Sequence, residues 1–317
     1  MEFEGPEKKL EIVLKQPRVD LRGNVDGRWD RVVKSAHTQI LSSVSNPWFD
    51  AYLLSESSLF VYPDRIILIT CGGSRPFEAL PTVLEFINPS EIRYIFYERK
   101  NFLYPEAQIC DFQVETEKMN ELFPGQQWLI GEESKDHIYF FFTAGQNVIC
   151  ETPKVHDTTL EILMHDISED VAQLFYDDSG VTTEILRYRS GIEFLVEAPE
   201  IIYNDYLFHP CGYSLNAMVN EGYFTIHITP QSVCSYVSFE TNINLSNPSR
   251  LLQKVLDCFS PKRFTFVVTS NSSPVNLRSK HTEGYRKTIE KTVSIGHGYK
   301  VHLRNYHYQD CFAKVLV

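Results

Sequence analysis

The 317-residue chain has no apolar run long enough to span a membrane, no C-x-x-C pair and no low-complexity tract. Its seven cysteines are scattered and odd in number, which argues against a disulfide framework or a metal centre such as zinc and favours a reducing compartment. Positive charge is also scarce, since 41 acidic residues against 30 lysines and arginines give a formal net charge of −11. This balance argues against nucleic acid or an anionic membrane as the main partner and leaves small cations open. The acidic N-terminal stretch lacks the apolar core of a signal peptide, so we expect a cytoplasmic protein.

Short segments rich in Ile, Val, Phe, Tyr and Thr predict strands at 10–14, 52–54, 58–62, 66–71, 92–97, 138–142, 147–151, 205–208, 212–218, 224–229, 234–241, 264–268 and 300–306. Amphipathic patterns predict helices at 28–43, 77–87, 116–122, 160–175 and 249–259. Because strands come in runs, we expect an α+β fold with antiparallel sheets in one domain, residues 1–317. The two halves have similar element content, which predicts two related layers although no residue-level repeat is visible.

A serine-rich heptapeptide, Leu54-Ser55-Glu56-Ser57-Ser58-Leu59-Phe60, joins two apolar segments. Two flanking strands would hold the Glu56–Ser57 bond rigidly, and a serine held in this way can attack its preceding carbonyl and exchange an amide for an ester. β-Elimination and hydrolysis of that ester would leave a pyruvoyl group at Ser57, a protein-bound ketone that acts as an electron sink. An ordinary serine-rich turn is the alternative interpretation.

The N-terminal stretch carries three carboxylates, Glu4, Glu7 and Glu11, which an acidic, solvated tail would also explain. Cys71 ends an apolar run immediately before two glycines. A thiol at such a strand end can exchange a proton with a neighbour, although a buried, inert cysteine is more common.

A strand histidine, His227, alternates with Thr225 and Thr229 on one face of a predicted strand. Opposite Ser214 on a neighbouring strand, its imidazole predicts a general base beside a hydroxyl that holds an oxyanion. A hydrogen-bonded structural histidine is the alternative.

Seven motifs, read in order, resemble those of eukaryotic-type S-adenosylmethionine decarboxylases and extend from Phe3 to about Phe266. They are Phe-Glu-Gly-Pro-Glu-Lys, Leu-Ser-Glu-Ser-Ser-Leu-Phe, Ile-Leu-Ile-Thr-Cys-Gly, Thr-Leu-Glu-Ile-Leu-Met, Pro-Cys-Gly-Tyr-Ser, His-Ile-Thr-Pro and Ser-Tyr-Val-Ser-Phe-Glu-Thr-Asn. The resemblance implies a four-layer α/β/β/α sandwich of two antiparallel sheets. It also implies a proenzyme that cuts itself after Glu56 into a β chain, residues 1–56, and an α chain, residues 57–317.

For catalysis, the resemblance implies that Ser57 becomes the pyruvoyl cofactor, which forms a Schiff base with S-adenosylmethionine. His227 and Ser214 match the residues that drive ester formation and elimination. Cys71 matches the residue that returns a proton to the product, and Glu7 matches a carboxylate at the reaction centre. The product would serve spermidine and spermine synthesis.

For substrate binding, Phe3 and Phe208 match an aromatic pair that sandwiches adenine, while backbone groups near Leu54 and Glu56 read its edge. Acidic residues such as Glu4 would suit the cationic sulfonium.

The sequence departs from the family where a ribose-binding Glu is replaced by Gln231. A neutral amide still bonds to a diol but loses a charge-assisted contribution of about 1 kcal/mol. The stronger alternative is the same pyruvoyl chemistry on another amino acid, of the ornithine or arginine type.

An acidic cluster matches the putrescine site of animal members and comprises Glu11, Asp157, Thr159, Glu161 and Glu240. Animal members carry a lysine where this chain has Ile69 and a small polar residue where it has Glu98. We therefore expect diamine binding with altered activation. A catalytically weak regulatory paralogue is a further alternative, and the resemblance leaves a monomer, homodimer or heterodimer open.

Overall fold

The computed structural model describes residues 4–15, 17–146, 148, 156–176, 180–272 and 282–309. Within these residues the strands are β1 Glu7–Leu14, β2 Ile40–Ser45, β3 Asp50–Leu54, β4 Ser57–Val61, β5 Arg65–Cys71, β6 Ile92–Lys100, β7 Gln126–Ile130, β8 Ile138–Ala144, β9 Thr158–His165, β10 Ile202–Leu207, β11 Tyr213–Val219, β12 Gly222–Thr229, β13 Tyr236–Thr241, β14 Arg263–Ser270, β15 Tyr285–Gly296 and β16 Tyr299–Tyr308. The α-helices are α1 Arg28–Ser35, α2 Ala79–Val83, α3 Phe112–Leu122, α4 Glu169–Gln173, α5 Thr183–Ser190 and α6 Pro248–Phe259.

The strands form two eight-stranded sheets with the same topology. The first has the order β2-β3-β4-β5-β1-β6-β8-β7, and the second has the order β10-β11-β12-β13-β9-β14-β16-β15. The paired strands are antiparallel throughout both sheets. Raising each strand number of the first sheet by eight gives the second, so the two halves of the chain are built on one plan.

Helices cover the outer face of each sheet. Trp29 of α1, Leu80 of α2 and Met119 of α3 pack in a core with the outer side chains of the first sheet. Leu186 of α5 and Leu252 of α6 do the same on the second sheet. The inner faces pack directly on each other, which completes the predicted four-layer α/β/β/α sandwich.

Charged and hydroxyl side chains share the space between the sheets with apolar ones. Side chains alternate along a strand, so Leu10 and Ile12 of β1 enter the outer core, while Glu7 and Lys9 contact residues of the second sheet. The inner face of the sandwich therefore brings together ionisable residues from both halves.

Two predicted helices were partly wrong. The segment 28–43 forms α1 only as far as Ser35, and β2 follows after His37, whose positive φ of 63° interrupts the helix. The segment 160–175 begins as β9, in which Leu160 and Ile162 face the outer core and Glu161 faces the other sheet. Helix-forming residue types were overridden there by the period-two burial of a central strand.

Strands β7 and β15 and helix α5 were not predicted. The predicted strand at 147–151 lies outside the described residues, apart from Val148. No helix in the described part of the chain combines the length and apolar character needed to cross a membrane.

Candidate active site

The Glu56–Ser57 bond lies at a tight hairpin turn between β3 and β4. Leu54 pairs with Ser57 in the sheet register, which leaves Ser55 and Glu56 as the two turn residues. Ser57 has a φ of 108°, a value that residues other than glycine seldom adopt. Such a conformation costs about 1–3 kcal/mol, so backbone strain is concentrated at the bond predicted to break.

A cavity of about 290 Å³ opens beside this turn. It brings together residues from β5, from the turn and from the edge of the second sheet. The predicted site residues that line it are Glu56, Ser57, Cys71, Phe208, Ser214, His227 and Gln231.

The thiol of Cys71 lies close to the side chains of both residues of the Glu56–Ser57 bond. Ser57 Oγ donates a hydrogen bond to Cys71 Sγ at 3.4 Å, and the thiol faces the Glu56 carboxylate at 3.8 Å. Burial raises the pKa of Cys71 well above its usual range, and the Glu56 carboxylate adds to the shift. The sulfur therefore keeps its proton, which makes it a donor rather than a nucleophile.

Glu7 is paired with Cys71 in the β1–β5 register. Its side chain is buried and accepts a hydrogen bond from Ser238 of the second sheet. Burial raises the pKa of Glu7 to about 8, against the effect of this hydrogen bond, and nearby Glu240 raises it further. Glu7 is consequently a mostly protonated acid at neutral pH.

His227 is paired with Ser214 across β11 and β12, as the sequence predicted. Its Nδ1 lies 3.0 Å from Ser214 Oγ, and its Nε2 lies 3.1 Å from Ser58 Oγ and 3.0 Å from Thr225 Oγ1. Burial lowers the pKa of His227 to about 3, so the imidazole is neutral and one of its two ring nitrogens keeps a lone pair.

Three further residues belong to this network and were not predicted as site residues from the sequence: Ser58, Thr225 and Asn216. Ser58 donates to Asn216 Oδ1 at 2.5 Å, which joins β4 of one sheet to β11 of the other. The alternation of side chains along a strand could have indicated two of them. Asn216 lies two residues after Ser214, and Thr225 lies two residues before His227, so each shares a strand face with a predicted site residue.

Three of the predicted substrate residues line the cavity: Glu56, Phe208 and Gln231. Gln231 Oε1 is buried and has no hydrogen-bond partner within the described residues. A buried polar atom at a cavity wall is suited to receive a hydrogen bond from a ligand. Leu54 is fully buried in the hairpin, and Phe3 lies outside the described residues.

Glu4 has a different environment from the one expected. Its two carboxylate oxygens accept the backbone N–H groups of Leu103 at 2.8 Å and Tyr104 at 3.0 Å. Glu4 is not among the residues that line the cavity, and these two bonds anchor the chain after β6.

The predicted activator cluster contains two cations of the chain itself. Arg65 binds Asp157 in a bidentate manner, at 2.9 and 2.7 Å, and Glu11 at 3.0 Å. Tyr299 also donates to Asp157, at 2.7 Å. Arg65 therefore gives two of the five predicted residues a cationic partner from the chain itself.

Lys9 occupies the other half of the cluster. Its ammonium donates to Glu161 and Glu240 and lies 3.8 Å from Glu98. Burial alone would lower the pKa of Lys9, but Glu161 and Glu240 raise it well above its usual range. The cavity left beside Lys9, Thr159 and Glu98 measures about 10 Å³, room for about one water molecule. Lys9 was missed although it alternates with Glu7 and Glu11 along β1.

Known sequences and solved structures resemble this chain over most of its length. The sequence model of the family described as adenosylmethionine decarboxylase matches residues 1–313. The chain is 35% identical to the S-adenosylmethionine decarboxylase proenzyme of Dictyostelium discoideum, over 97% of this chain and 86% of that protein. It is 38% identical to the proenzyme of that name from Xenopus laevis, over 86% of this chain and 84% of that protein. The crystal structure of a Trypanosoma brucei AdoMetDC-delta26 monomer matches with a TM-score of 0.64 and 25% identity, over 80% of this chain and 99% of that one.

Proposed function

The chain belongs to the adenosylmethionine decarboxylase family, and we propose that the residues around the Glu56–Ser57 turn carry its activity. It is a carboxy-lyase that converts S-adenosylmethionine to decarboxylated S-adenosylmethionine, a precursor in polyamine synthesis. The observation that carries the residue assignment is a strained Ser57 in one cavity with Cys71, Ser214 and His227.

The catalytic group is a pyruvoyl group made from Ser57. The fit rests on the turn itself: Ser57 is buried, has a positive φ and faces a thiol within the cavity. Once formed, the group would supply a ketone that condenses with the substrate amine and delocalises the electron pair left on the α-carbon when carbon dioxide departs.

Self-processing begins when Ser57 Oγ attacks the Glu56 carbonyl carbon. The amide C–N bond breaks, the nitrogen takes a proton, and an ester forms. Loss of the Ser57 Cα proton and cleavage of the Cβ–O bond release the Glu56 carboxylate and leave a dehydroalanine. One water then displaces its nitrogen as ammonia. We assign proton removal to neutral His227, with Ser214 as its hydroxyl partner.

Substrate orientation is assigned to two residues of the cavity wall. Phe208 presents an aromatic ring for adenine, and the amide oxygen of Gln231, which has no hydrogen-bond partner within the described residues, is assigned to the ribose hydroxyls. The Cys71 thiol and the protonated Glu7 hold protons on the side of β5 and β1, where the product carbon must be reprotonated. A free basic amino acid would leave the ring of Phe208 and the amide of Gln231 unused, so the geometry does not favour that alternative. A regulatory paralogue is not favoured either, because the processing residues are all present.

The acidic cluster is proposed to work without a diamine. Lys9 and Arg65 place two positive charges among its carboxylates, and the remaining space is far smaller than a diamine needs. This replaces the expectation of diamine binding: the chain carries its own cations, and putrescine would have to displace Lys9.

The intact mass of the recombinant protein under denaturing conditions tests the proposal. We expect two chains divided after Glu56, the larger one lighter by one ammonia than a chain that starts with serine. Ser57→Ala should give a single full-length chain. A single chain from the unaltered protein would contradict self-processing. Carbon dioxide release from S-adenosylmethionine, compared with ornithine and arginine, then tests the substrate.

A further inference from the structure

A closed hydrogen-bond network surrounds the Nε2 side of His227. It consists of two hydroxyls, those of Ser58 and Thr225, and the side-chain amide of Asn216. All of these side chains are nearly or fully buried, so their protons are donated to protein atoms rather than to solvent. The positions of those protons decide which nitrogen of the imidazole is basic.

The orientation of the Asn216 amide is fixed by a backbone carbonyl. Its Nδ2 donates to the carbonyl oxygen of Tyr52 at 3.1 Å. The flipped amide would place two acceptor oxygens against each other, so Oδ1 must be the atom that faces Ser58 and Thr225.

Each of the two hydroxyls then donates its single proton to a carbonyl oxygen. Ser58 Oγ is 2.5 Å from Asn216 Oδ1, the distance of a strong O–H···O bond, and only 3.1 Å from His227 Nε2. Thr225 Oγ1 is 2.9 Å from the carbonyl oxygen of Leu215. Both hydroxyls therefore present only lone pairs to Nε2, and a nitrogen that faces lone pairs must carry a hydrogen.

We propose that Asn216 is a positioning residue that fixes the proton of His227 on Nε2 and leaves Nδ1 as the basic nitrogen facing Ser214. The inference rests on the proposed function in that it specifies how His227 serves as the base. Asn216 acts through Ser58: by accepting the Ser58 proton, its carbonyl prevents that hydroxyl from donating to Nε2. The network thus aims the lone pair of the imidazole into the cavity that contains Ser57.

The test exploits this proton count. Asn216→Leu keeps a similar volume but removes the acceptor, so the Ser58 proton becomes free to donate to Nε2 and the imidazole proton should move to Nδ1. Adding Ser58→Ala removes the freed proton, and Thr225 then accepts from Nε2 as before. The double variant should therefore return to the Nε2–H tautomer, and Ser58→Ala alone should leave it unchanged.

The tautomer is read from the imidazole nitrogen shifts of ¹⁵N-histidine-labelled full-length chain. Ser57→Ala keeps every sample uncleaved, and His227→Gln identifies the signal. We expect a pyrrole-type Nε2 and a pyridine-type Nδ1 in the unaltered network, and the reverse in Asn216→Leu. A pyrrole-type Nδ1 in the unaltered network, or an Asn216→Leu spectrum of unaltered type, overturns the proposal.

Two further measurements keep the proposal testable if Asn216→Leu does not fold. The first is the tautomer of the unaltered network itself. The second is Ser58→Ala with Thr225→Val, which removes both acceptors of Nε2–H and should populate the Nδ1–H tautomer; an unchanged tautomer in this variant contradicts the proton count.

Cleavage supplies the functional readout. With Ser57 restored, Asn216→Leu should slow cleavage by about 10²-fold, the usual contribution of a positioned base, and Ser58→Ala added to it should recover most of that rate. If the unaltered chain never cleaves while the tautomers follow the predicted order, the proposed function fails and this inference stands.

Discussion

Replacing Lys9 with methionine should both destabilise the protein and make it respond to putrescine. The ammonium is less than a tenth exposed and contacts Glu161 and Glu240 directly, with Glu98 at 3.8 Å. Methionine keeps the length of the side chain and leaves buried carboxylates without their cation. Breaking a buried ion pair in this way costs about 3–5 kcal/mol. At about 2–4 °C per kcal/mol, the melting temperature should fall by on the order of 10 °C.

A diamine should restore part of this loss, because Lys9→Met leaves an acidic cavity that needs a cation. A ligand present at 100 times its dissociation constant stabilises by about 2.7 kcal/mol. The assay is thermal unfolding and decarboxylation with and without putrescine, with butylamine as the single-charge comparison. Lys34→Met, at an exposed position on α1, is the matched control and should change stability by less than about 0.5 kcal/mol. Equal stabilisation of wild type and Lys9→Met by putrescine, or a Lys9→Met protein as stable as wild type, would refute the reasoning.

Three further predictions concern the cavity. Gln231→Glu should lower KM for S-adenosylmethionine about fivefold with kcat little changed, because a charge-assisted bond to the ribose contributes about 1 kcal/mol; an unchanged KM would remove Gln231 from the ribose site. Cys71→Ala should still yield two chains by intact mass but lose at least about 10²-fold in decarboxylation, since its thiol holds the proton for the product; undiminished turnover would assign that proton elsewhere. The pKa of Glu7 is raised from its ordinary 4.5 to about 8, so the native chain binds the extra proton between these values and the free energy of unfolding should fall as pH rises through this window. Glu7→Gln should flatten that dependence in denaturant titrations at pH 5 and pH 8, and an equal slope in both proteins would contradict the shift.

Much of the sandwich could be predicted from local patterns because its strands are short and rich in β-branched and aromatic residues. The errors occurred where local preference and tertiary position disagree. The residues of β9, Leu-Glu-Ile-Leu-Met, are good helix formers, but the central position of β9 between β13 and β14 imposes a strand. The shared topology of the halves could not be read from the sequence either, since strand order is a property of long-range pairing.

The candidate site was predicted to the extent that its residues lie in motifs. Ser57, Cys71, Ser214 and His227 meet in one cavity, as expected. The positive φ of Ser57 could not be foreseen, because serine has no intrinsic preference for it and the hairpin register imposes it.

Lys9 shows what the sequence does not reveal about the acidic cluster. The sequence displays the carboxylates of the cluster, but only the packing of one sheet on the other shows that an ammonium lies among them. The same limit applies to Asn216, whose partners Ser58 and Tyr52 are more than 150 positions away along the chain.

The position of β1 in the first sheet has a consequence for the molecularity of folding. β1 is a central strand whose two neighbours, β5 and β6, both follow Ser57 in the chain. In the intact chain, insertion of β1 between them is a unimolecular event. After a break between Glu56 and Ser57, the same insertion requires two polypeptides to meet, so re-formation of the sheet depends on protein concentration. The cleaved protein keeps β1 in its sheet for as long as it stays folded. Once it is denatured and diluted, it should refold at a rate set by the collision of the two chains, whereas the intact chain refolds at a rate independent of protein concentration.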